Sequence, residues 1–487
     1  MGGAGRLGEL PVSGGAALAA LIRAREVSSR EVVESHLARI REVNPRLNAL
    51  VVVDEREAQR AADRADAEIA NGIWRGPLHG VPFTAKDALE TAGLRTTCGA
   101  TGLRRHVPVA DATAVARLRA SGGILLGKSN VPALTSDYQT SNALFGRTVN
   151  PWDLTRSPGG SSGGGAAAVA AGLSPLEIAS DVGGSIRLPA HYCGVYGLKP
   201  SGRRLPMTGH VPPLPGRRRG LRHLAAIGFL APRPADLRLA LEQTHGPDGS
   251  DTTVPPVPLA PRRSRRPSEL RIAWTAGFRG IPLADDVRRC CEDYAAALSA
   301  AGAAIETIGP DLDLLDAANL FGAIFGAEIN ALAPERAEDA ERLIAMREGS
   351  LGEPYALGYA QAFDATLSTY TRLLHRRDDW IGRVEAAMEG FDAWICPAAP
   401  TVAIPHSARG APIEVSGRPW PYMAQGWYCL PFSITDHPVV AMPAGRCAGG
   451  LPCGVQLVGR LWGDAELLDV AECLSAAIDP PDSGATT

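Results

Sequence analysis

The chain has 487 residues, of which 45% are hydrophobic and 21% charged, a balance typical of a folded globular protein with a large core. Its formal net charge of −3 excludes the overall basic character of a nucleic-acid-binding protein, and the short basic runs at residues 217–219 and 262–266 lie beside prolines, as solvated loops do. Because no apolar run approaches the length of a membrane span and the N-terminus lacks an apolar signal core, the sequence predicts a cytoplasmic protein without membrane contact.

Helical and strand patterns alternate along the first half of the chain. Ser28 and Glu31 fit a capping box, which predicts a helix from there to about residue 42. Further predicted elements in this half are a strand over 48–53, helices over 55–70 and 113–120, a strand over 124–127, a helix over 166–172, a short apolar strand over 176–179, and a strand and turn over 194–200. Such alternation is typical of an α/β core.

The second half begins after a connection rich in proline and arginine, at about residues 254–267, which is the best candidate for a boundary or an insertion. The elements predicted beyond it are a strand over 271–274, a helix over 285–301, a mostly helical stretch over 314–387, strands over 392–397, 439–442 and 455–458, and a closing helix over 466–477.

We predict one large domain over residues 1–480. Its parts are a helical N-terminal segment (about 10–70), a core (about 71–250), the connection at 254–267, a mostly helical insertion (about 283–390), and C-terminal strands with a helix (about 391–478), followed by a flexible tail over 479–487.

The nine cysteines are odd in number and scattered, which is not the pattern of a secreted disulfide framework. Cys447 and Cys453 lie near His437 in the sequence, but their spacing fits no common zinc pattern. The sequence therefore predicts neither a metal nor a cofactor.

Two glycine- and serine-rich clusters, at residues 157–165 and 180–189, stand out as candidate functional turns. Glycine lets the backbone approach a ligand closely, and serine supplies a hydroxyl that attacks a carbonyl once its proton is removed. The chain has only three lysines, of which Lys86 lies in the apolar segment 80–87. Because a buried lysine can lose its proton whereas arginine cannot, Lys86 is a candidate base.

Two familiar motifs also match but fit their context poorly. Residues 122–129 match the phosphate-loop pattern, yet the middle of that segment is Ile-Leu-Leu, which favours burial as a strand. Residues 160–164 match the nucleophile elbow around Ser162, yet the preceding residues 150–158 have the pattern of a loop instead of the required strand. Nothing around His437 marks it as the base of such a hydrolase.

The segments 81–87, 157–164, 181–189 and 193–200 together resemble the amidase signature family, as do 150–152 and 450–459. The resemblance runs from about residue 10 to 477. It implies an α/β fold with a central, mostly mixed-parallel twisted sheet flanked by helices on both faces. It also implies a Ser–cis-Ser–Lys triad, in which Ser185 is the nucleophile, Ser161 the bridging serine on a cis peptide, and Lys86 the base.

The loop before the nucleophile is expected to bind the developing oxyanion. The backbone N–H groups of Val182, Gly183, Gly184 and Ser185 form the predicted oxyanion hole, because missing side chains let amides converge. Asp181 and Arg187 are candidate supports of this loop.

The sequence thus predicts a cofactor-free amidase that hydrolyses a small-molecule carboxamide, with no nucleic-acid or membrane partner. A glutaminase subunit of a tRNA-dependent amidotransferase, and an acyl transferase that uses an amine or alcohol, remain as alternatives. A homodimer also remains open. Ser433, Asp436 and Leu134 depart from the residues common in the family, near the expected mouth of the pocket, so the acyl specificity is left open.

Overall fold

An eleven-stranded mixed sheet forms the centre of the molecule. The computed structural model describes residues 10, 13–212, 221–330, 353–362, 365–447 and 449–478. The strands are β1 (Leu50–Val53), β2 (Pro82–Lys86), β3 (Ile124–Ser129), β4 (Ser141–Asn142), β5 (Gly146–Arg147), β6 (Glu177–Asp181), β7 (Tyr196–Lys199), β8 (Ala226–Ala231), β9 (Arg271–Trp274), β10 (Ala304–Thr307), β11 (Ala393–Pro397), β12 (Ile413–Val415), β13 (Arg418–Trp420), β14 (Val439–Arg446) and β15 (Pro452–Val458).

Helices connect these strands and cover the sheet. They are α1 (Gly15–Arg23), α2 (Ser29–Leu47), α3 (Glu55–Ala70), α4 (Thr113–Ala120), α5 (Gly163–Ala170), α6 (Arg187–Cys193), α7 (Pro234–Thr244), α8 (Asp285–Ala300), α9 (Leu314–Asn330), α10 (Pro354–Gln361), α11 (Leu367–Ala387), α12 (Leu430–Ile434) and α13 (Asp464–Ala477). Among the residues that the structure describes, no helix is both long enough and apolar enough to cross a membrane.

The strand order in the central sheet is β1-β3-β2-β6-β8-β7-β14-β15-β11-β9-β10. Strands β3, β2 and β6 are parallel to one another, as are β11, β9 and β10, whereas the strands between these two groups pair antiparallel. One sheet therefore takes strands from both sides of the connection at 254–267. The predicted mixed sheet is confirmed.

Strand β3 shows how the two faces of the sheet are buried. Leu125 packs into a cluster that includes Leu118 of α4, whereas its neighbours Ile124 and Leu126 pack into a second cluster with Leu37 of α2. Because successive side chains of a strand point to opposite faces, helices cover both sides of the sheet here.

The local predictions are confirmed where capping or periodicity is strong. Helices α3 and α4 and strand β9 occupy the predicted ranges, and the Ser28–Glu31 capping box is present at the start of α2. Helix α2 continues beyond residue 42 and contains Pro45, ending only where Asn48 adopts a left-handed conformation (φ 52°). The predicted strand at 124–127 extends to Ser129.

The mostly helical stretch predicted over 314–387 contains α9, α10 and α11, and its residues 331–352 lie outside the described part. The predicted tail over 479–487 and the basic run at 217–219 also lie outside the described residues. The division of the chain into one domain stays a prediction.

A buried ion pair joins the last helix to the centre of the sheet. Asp464, the first residue of α13, accepts hydrogen bonds from the Ser201 backbone (2.7 Å) and from Arg204 Nε (2.9 Å), just after β7. The side chains of Arg204 and Asp464 are 1% and 0% exposed. Removing one partner of such a pair leaves the other charge buried and uncompensated.

We expect Asp464→Asn to lower the free energy of unfolding by about 3–5 kcal/mol. The matched control is Glu306→Gln, which breaks an exposed pair with Arg271 (3.4 Å) and should cost less than about 1 kcal/mol. Urea unfolding of both variants measures the difference. Equal, small losses in the two variants would contradict the importance assigned to this pair.

Candidate active site

Two neighbouring parallel strands bring the candidate base and the second glycine-serine cluster to one edge of the sheet. Lys86 is the last residue of β2, and Asp181 is the last residue of β6, which pairs with β2 in parallel. Because the carboxyl ends of parallel strands meet at the same edge, Lys86 lies beside the segment that leads to Ser185.

The first glycine-serine cluster reaches the same edge through the loop that precedes α5. The Gly160–Ser161 peptide bond is cis. A Cβ atom on Gly160 would lie 2.6 Å from the backbone oxygen of Asp137, so this position requires glycine. The Ser162 N–H donates to the Ser185 carbonyl at 3.2 Å, which holds the two clusters together.

The Lys86 amine is surrounded by hydroxyl and carbonyl oxygens. Its Nζ lies 2.8 Å from Ser161 Oγ and 2.9 Å from Ser162 Oγ. Ser180 contributes two more contacts, its backbone oxygen at 3.2 Å and its Oγ at 3.1 Å. Lys86 is fully buried, so these polar atoms replace water around the amine.

Burial is the main cause that lowers the pKa of Lys86, to about 7, because it disfavours the charged ammonium. The carboxylates of Asp181 and Glu177 oppose the shift without overcoming it. Asp87, the residue next to Lys86, accepts hydrogen bonds from Thr97 instead (Oγ1 at 2.5 Å). The Asp87 carboxylate therefore faces Thr97 and not the Lys86 amine.

A buried ion pair shapes the loop between β6 and α6. Arg187 and Asp181 approach to 2.8 Å with both side chains fully buried. Burial alone would raise the pKa of Asp181, but the Arg187 guanidinium holds it well below its usual range. The Asp181 carboxylate also accepts the backbone N–H of Gly184 (2.8 Å) and of Ile186 (2.9 Å), so it fixes the backbone around Ser185.

The hydrogen bond from the Gly184 N–H to Asp181 corrects the prediction of the oxyanion hole. The Gly184 N–H is already engaged by Asp181 Oδ1, so it is not one of the donors directed at a substrate oxygen. Three of the four predicted donors remain, and they are the N–H groups of Val182, Gly183 and Ser185.

The residues that depart from the family pattern do not all lie where the sequence predicts. Ser433 is fully buried and accepts a hydrogen bond from Arg187 (2.7 Å), so the prediction that places it at the mouth of the pocket is wrong. Asp436 forms an ion pair with Arg377 at 2.6 Å, and both side chains are 10% exposed. Leu134 is half-buried.

Aromatic and apolar groups pack against Gly183, in the loop that precedes Ser185. The Tyr138 hydroxyl donates to the Gly183 carbonyl at 2.7 Å. A Cβ atom on Gly183 would lie 3.1 Å from the Phe321 ring and 3.4 Å from Leu430. Phe321 belongs to α9 and stacks on Phe325, with ring centroids 6.1 Å apart. We call Tyr138, Phe321 and Leu430 the aromatic wall.

A family model described as Amidase matches residues 31–468. The chain belongs to the amidase signature family. This chain is 35% identical to the A subunit of the glutamyl-tRNA(Gln) amidotransferase of Synechococcus sp. (strain CC9605), over 92% of this chain and 93% of that one.

Solved structures of similar proteins have the same fold. One is a chain of a vestigial protein complex that reveals the evolutionary origins of an s-triazine catabolic enzyme, with 29% identity and a TM-score of 0.81 over 95% of this chain and 98% of that one. Another is 6-aminohexanoate cyclic dimer hydrolase, with 28% identity and a TM-score of 0.76 over 96% and 98% of the two chains. The likeness agrees with the family that the sequence model indicates.

The two competing motifs fail for structural reasons. Residues 124–129, the middle and end of the phosphate-loop match, are all buried strand, and Lys128 Nζ donates to the Leu89 carbonyl and to Thr91 Oγ1 (2.8 Å). Ser162 lies at the start of α5, but no strand precedes it among residues 148–160, all of which are described. The chain has neither a phosphate loop nor a nucleophile elbow at these described positions.

Sequence reasoning missed Ser180, which contacts the amine, and His210, which contacts Ser180. Ser180 directly precedes Asp181, so its place in the second cluster is a signal that could have found it. His210 lies 30 residues further along the chain, and its Nε2 is 2.9 Å from Ser180 Oγ. No local pattern marks His210, because only the tertiary fold brings it to Ser180.

The lowered pKa of Lys86 predicts that the stability of the folded protein depends on pH. Between about pH 7 and the ordinary lysine value of 10.5, the unfolded chain binds a proton that the folded protein does not, so raising the pH favours folding. Relative to Lys86→Met, the wild type should gain roughly 1 kcal/mol of unfolding free energy per pH unit above pH 7.

Urea unfolding at pH 7, 8 and 9 measures the difference in unfolding free energy between the wild type and Lys86→Met. Titrating groups that both proteins share contribute equally and cancel in this difference. The exposed variant Leu367→Ala serves as the control and should differ from the wild type by a constant amount over this range. A constant difference for Lys86→Met as well would show that the buried amine keeps an ordinary pKa.

Proposed function

We propose that this chain hydrolyses a carboxamide to a carboxylate and ammonia or an amine, through an acyl intermediate on Ser185. One observation carries the proposal: the fully buried Lys86 amine, whose pKa is lowered to about 7, lies 2.8 Å from Ser161 Oγ. A serine hydroxyl is a weak nucleophile until a base removes its proton, and a base works best when its pKa is near the working pH.

The contacts of Lys86 indicate which hydroxyl the amine would deprotonate. A neutral amine has two N–H groups and one lone pair. The Ser180 carbonyl can only accept hydrogen bonds, so it takes one N–H of Nζ. The Ser162 hydroxyl already donates its proton to that carbonyl at 3.2 Å. Its oxygen therefore accepts the second N–H of Nζ. The lone pair is then left for another hydroxyl, of which Ser161 Oγ is the nearest.

In the proposed reaction, two linked proton transfers, from Ser185 to Ser161 and from Ser161 to Lys86, activate the nucleophile. Ser185 Oγ attacks the amide carbon as its proton passes to Ser161 Oγ, whose own proton passes to Lys86 Nζ. The N–H groups of Val182, Gly183 and Ser185 would stabilise the oxyanion, and one such donor is typically worth about 3–4 kcal/mol. The relay then returns the proton to the leaving nitrogen as the C–N bond breaks. A water molecule then attacks the acyl carbon while the relay takes its proton. The bond to Ser185 Oγ breaks, the carboxylate is released, and Ser185 regains its proton.

The aromatic wall supports a substrate with an apolar group next to the amide. Phe321 and Leu430 approach the Gly183 backbone, and the Tyr138 hydroxyl is bonded to Gly183, so these groups border the loop that would hold the oxyanion. Burying an aromatic or aliphatic group of the substrate there would contribute about 1.5–3 kcal/mol to binding.

The second candidate is a glutaminase subunit that delivers ammonia within a tRNA-dependent amidotransferase. The curated relatives favour it, since relatives 33–35% identical over more than nine-tenths of the chain are components of such enzymes. These names support the glutaminase better than an independent amidase. The aromatic wall supports the independent amidase, because glutamine brings an ammonium and a carboxylate that need charged partners.

The serine roles predict a contrast between two neighbouring residues. Ser161→Ala should lower kcat/KM for amide hydrolysis by roughly 10²–10⁴-fold, because it interrupts the proton path. Ser162→Ala is the matched control, since Ser162 Oγ lies at nearly the same distance from Lys86, and it should lose less than about tenfold. Steady-state kinetics of both variants measures the contrast.

A fluorophosphonate probe should in addition label Ser185 in the wild type, and peptide mapping by mass spectrometry should find no label in Ser185→Ala. A label on Ser162, or a greater loss in Ser162→Ala than in Ser161→Ala, would contradict the assigned roles.

The aromatic wall predicts the preferred substrate. The purified chain alone should release ammonia from an amide with an aromatic acyl group, such as benzamide, at a kcat/KM at least about tenfold above that for glutamine, a difference of about 1.4 kcal/mol. Phe321→Ala should raise KM for benzamide, whereas the exposed variant Leu367→Ala should not. Glutamine hydrolysis that appears only after the other amidotransferase components are added would instead favour the glutaminase.

A further inference from the structure

Three cysteines distant in the sequence meet at the end of one hairpin. Cys290 lies on α8, Cys447 directly follows β14, and Cys453 is on β15. Their sulfur atoms all lie within 4.8 Å of one another. The Cys447 N–H donates to the Leu451 carbonyl at 2.9 Å, so the hairpin backbone fixes two of the three positions.

The glycine at position 445 leaves room for the sulfur of Cys290 beside the hairpin. Gly445 pairs with Cys453 in the β14–β15 register, next to a β-bulge. A Cβ atom on Gly445 would lie 3.0 Å from Cys290 Sγ, and the φ of 149° at this position favours glycine. A side chain there would push Cys290 away from the other two cysteines.

We propose that Cys290, Cys447 and Cys453 bind a thiophilic metal cation, such as Zn²⁺, through their three sulfur atoms. Thiolates are the ligands that such cations prefer, and Zn–S bonds of about 2.3 Å place two sulfurs of a tetrahedral site about 3.8 Å apart. Side-chain rotations that shorten the present separations by up to about 1 Å would reach this geometry. Each thiol that binds loses its proton to solvent as its sulfur–metal bond forms.

The chemistry of the cluster favours a cation as its occupant. Three cysteine sulfurs within 4.8 Å of one another form a soft donor set, which thiophilic cations prefer to hard ones. Cys290 and Cys447 are 8% and 7% exposed, which leaves a path for an ion, whereas Cys453 is fully buried. Cys291 Sγ lies 4.0 Å from Cys453 Sγ but outside the group of three.

This site is independent of the proposed amide hydrolysis, because it uses none of the groups around Lys86. A bound cation would join α8 to the hairpin. It would also lie near α6, since the Gly454 N–H, next to Cys453, donates to His191 Nδ1 at 2.8 Å. We therefore expect the metal to stabilise the fold and not to take part in the chemistry at Ser185.

The spacing in the sequence does not show the site, because Cys290 comes from a helix far from the hairpin that carries the other two ligands. The sequence prediction that no metal is bound considered Cys447 and Cys453 with His437, which instead contacts Thr435 and Glu385.

Metal titration of the reduced full-length protein under anaerobic conditions tests the proposal. Wild type should bind one equivalent of Zn²⁺ in competition with a chromophoric chelator, and Cd²⁺ should produce an ultraviolet thiolate-to-metal charge-transfer band. Cys290→Ser and Cys447→Ser should each weaken Zn²⁺ binding at least about tenfold and remove the Cd²⁺ band. The matched control Cys473→Ser changes a cysteine of α13 outside the cluster and should retain both signals.

Two separate ligand variants are used so that one poorly folded protein does not decide the outcome, and circular dichroism identifies folded variants. Zn²⁺ should also raise the melting temperature of the wild type and not that of Cys447→Ser. Binding of less than one tenth of an equivalent, or equal binding by wild type and both folded ligand variants, would overturn the proposal. A Cys447–Cys453 disulfide in most molecules isolated with thiols blocked would overturn it as well.

Discussion

The removal of the Lys86 amine from water is the physical constraint around which the site is arranged. At the end of β2 the amine is fully buried, and desolvation brings its pKa to about 7. A charged ammonium at that depth would be costly, so the neighbouring groups are hydroxyls and a carbonyl, which bind a neutral amine as well as a charged one. Arginine, which supplies nearly all other positive charge in this chain, would keep its proton at any working pH.

The Asp181–Arg187 ion pair makes this arrangement compatible with a carboxylate nearby. An unpaired carboxylate near Lys86 would favour the ammonium and raise its pKa. Asp181 instead uses its oxygens on Arg187 and on the N–H groups of Gly184 and Ile186. Arg187 in turn donates to the Cys429 carbonyl and to Ser433. The same bonds that satisfy the two buried charges therefore also fix the backbone that carries Ser185.

The sequence predicted what depends on neighbouring residues and missed what depends on the tertiary fold. The helix Glu55–Ala70 and the strand Arg271–Trp274 were found because capping and apolar patterns are local signals. The predicted end of α2, at about residue 42, is too early. The helix continues through Pro45 and ends only where Asn48 adopts a left-handed conformation. The prediction for strand β3 is too short because a lysine usually marks the exposed end of a strand. Lys128 is buried here, and its amine donates a hydrogen bond to the Leu89 carbonyl, which no local pattern indicates.

The same distinction applies to the site. Lys86, Ser161 and Ser185 were identified from motif positions, and the structure places Lys86 beside Ser161. The engagement of the Gly184 N–H and the contact of His210 with Ser180 required coordinates, because each partner is chosen by the fold. The cysteine cluster was missed for the same reason, since one of its members lies on α8 and the other two on the hairpin.

The two candidate functions share one chemistry and differ in what the substrate presents to the aromatic wall. Glutamine carries an ammonium and a carboxylate at its α-carbon, and taking each from water costs several kcal/mol unless a charged group compensates. The side chains nearest to a Cβ built on Gly183 are Tyr138, Phe321 and Leu430, and none of these three carries a compensating charge. An apolar acyl group gains about 25 cal/mol per Å² buried against the same wall, so desolvation there favours the apolar amide and disfavours glutamine.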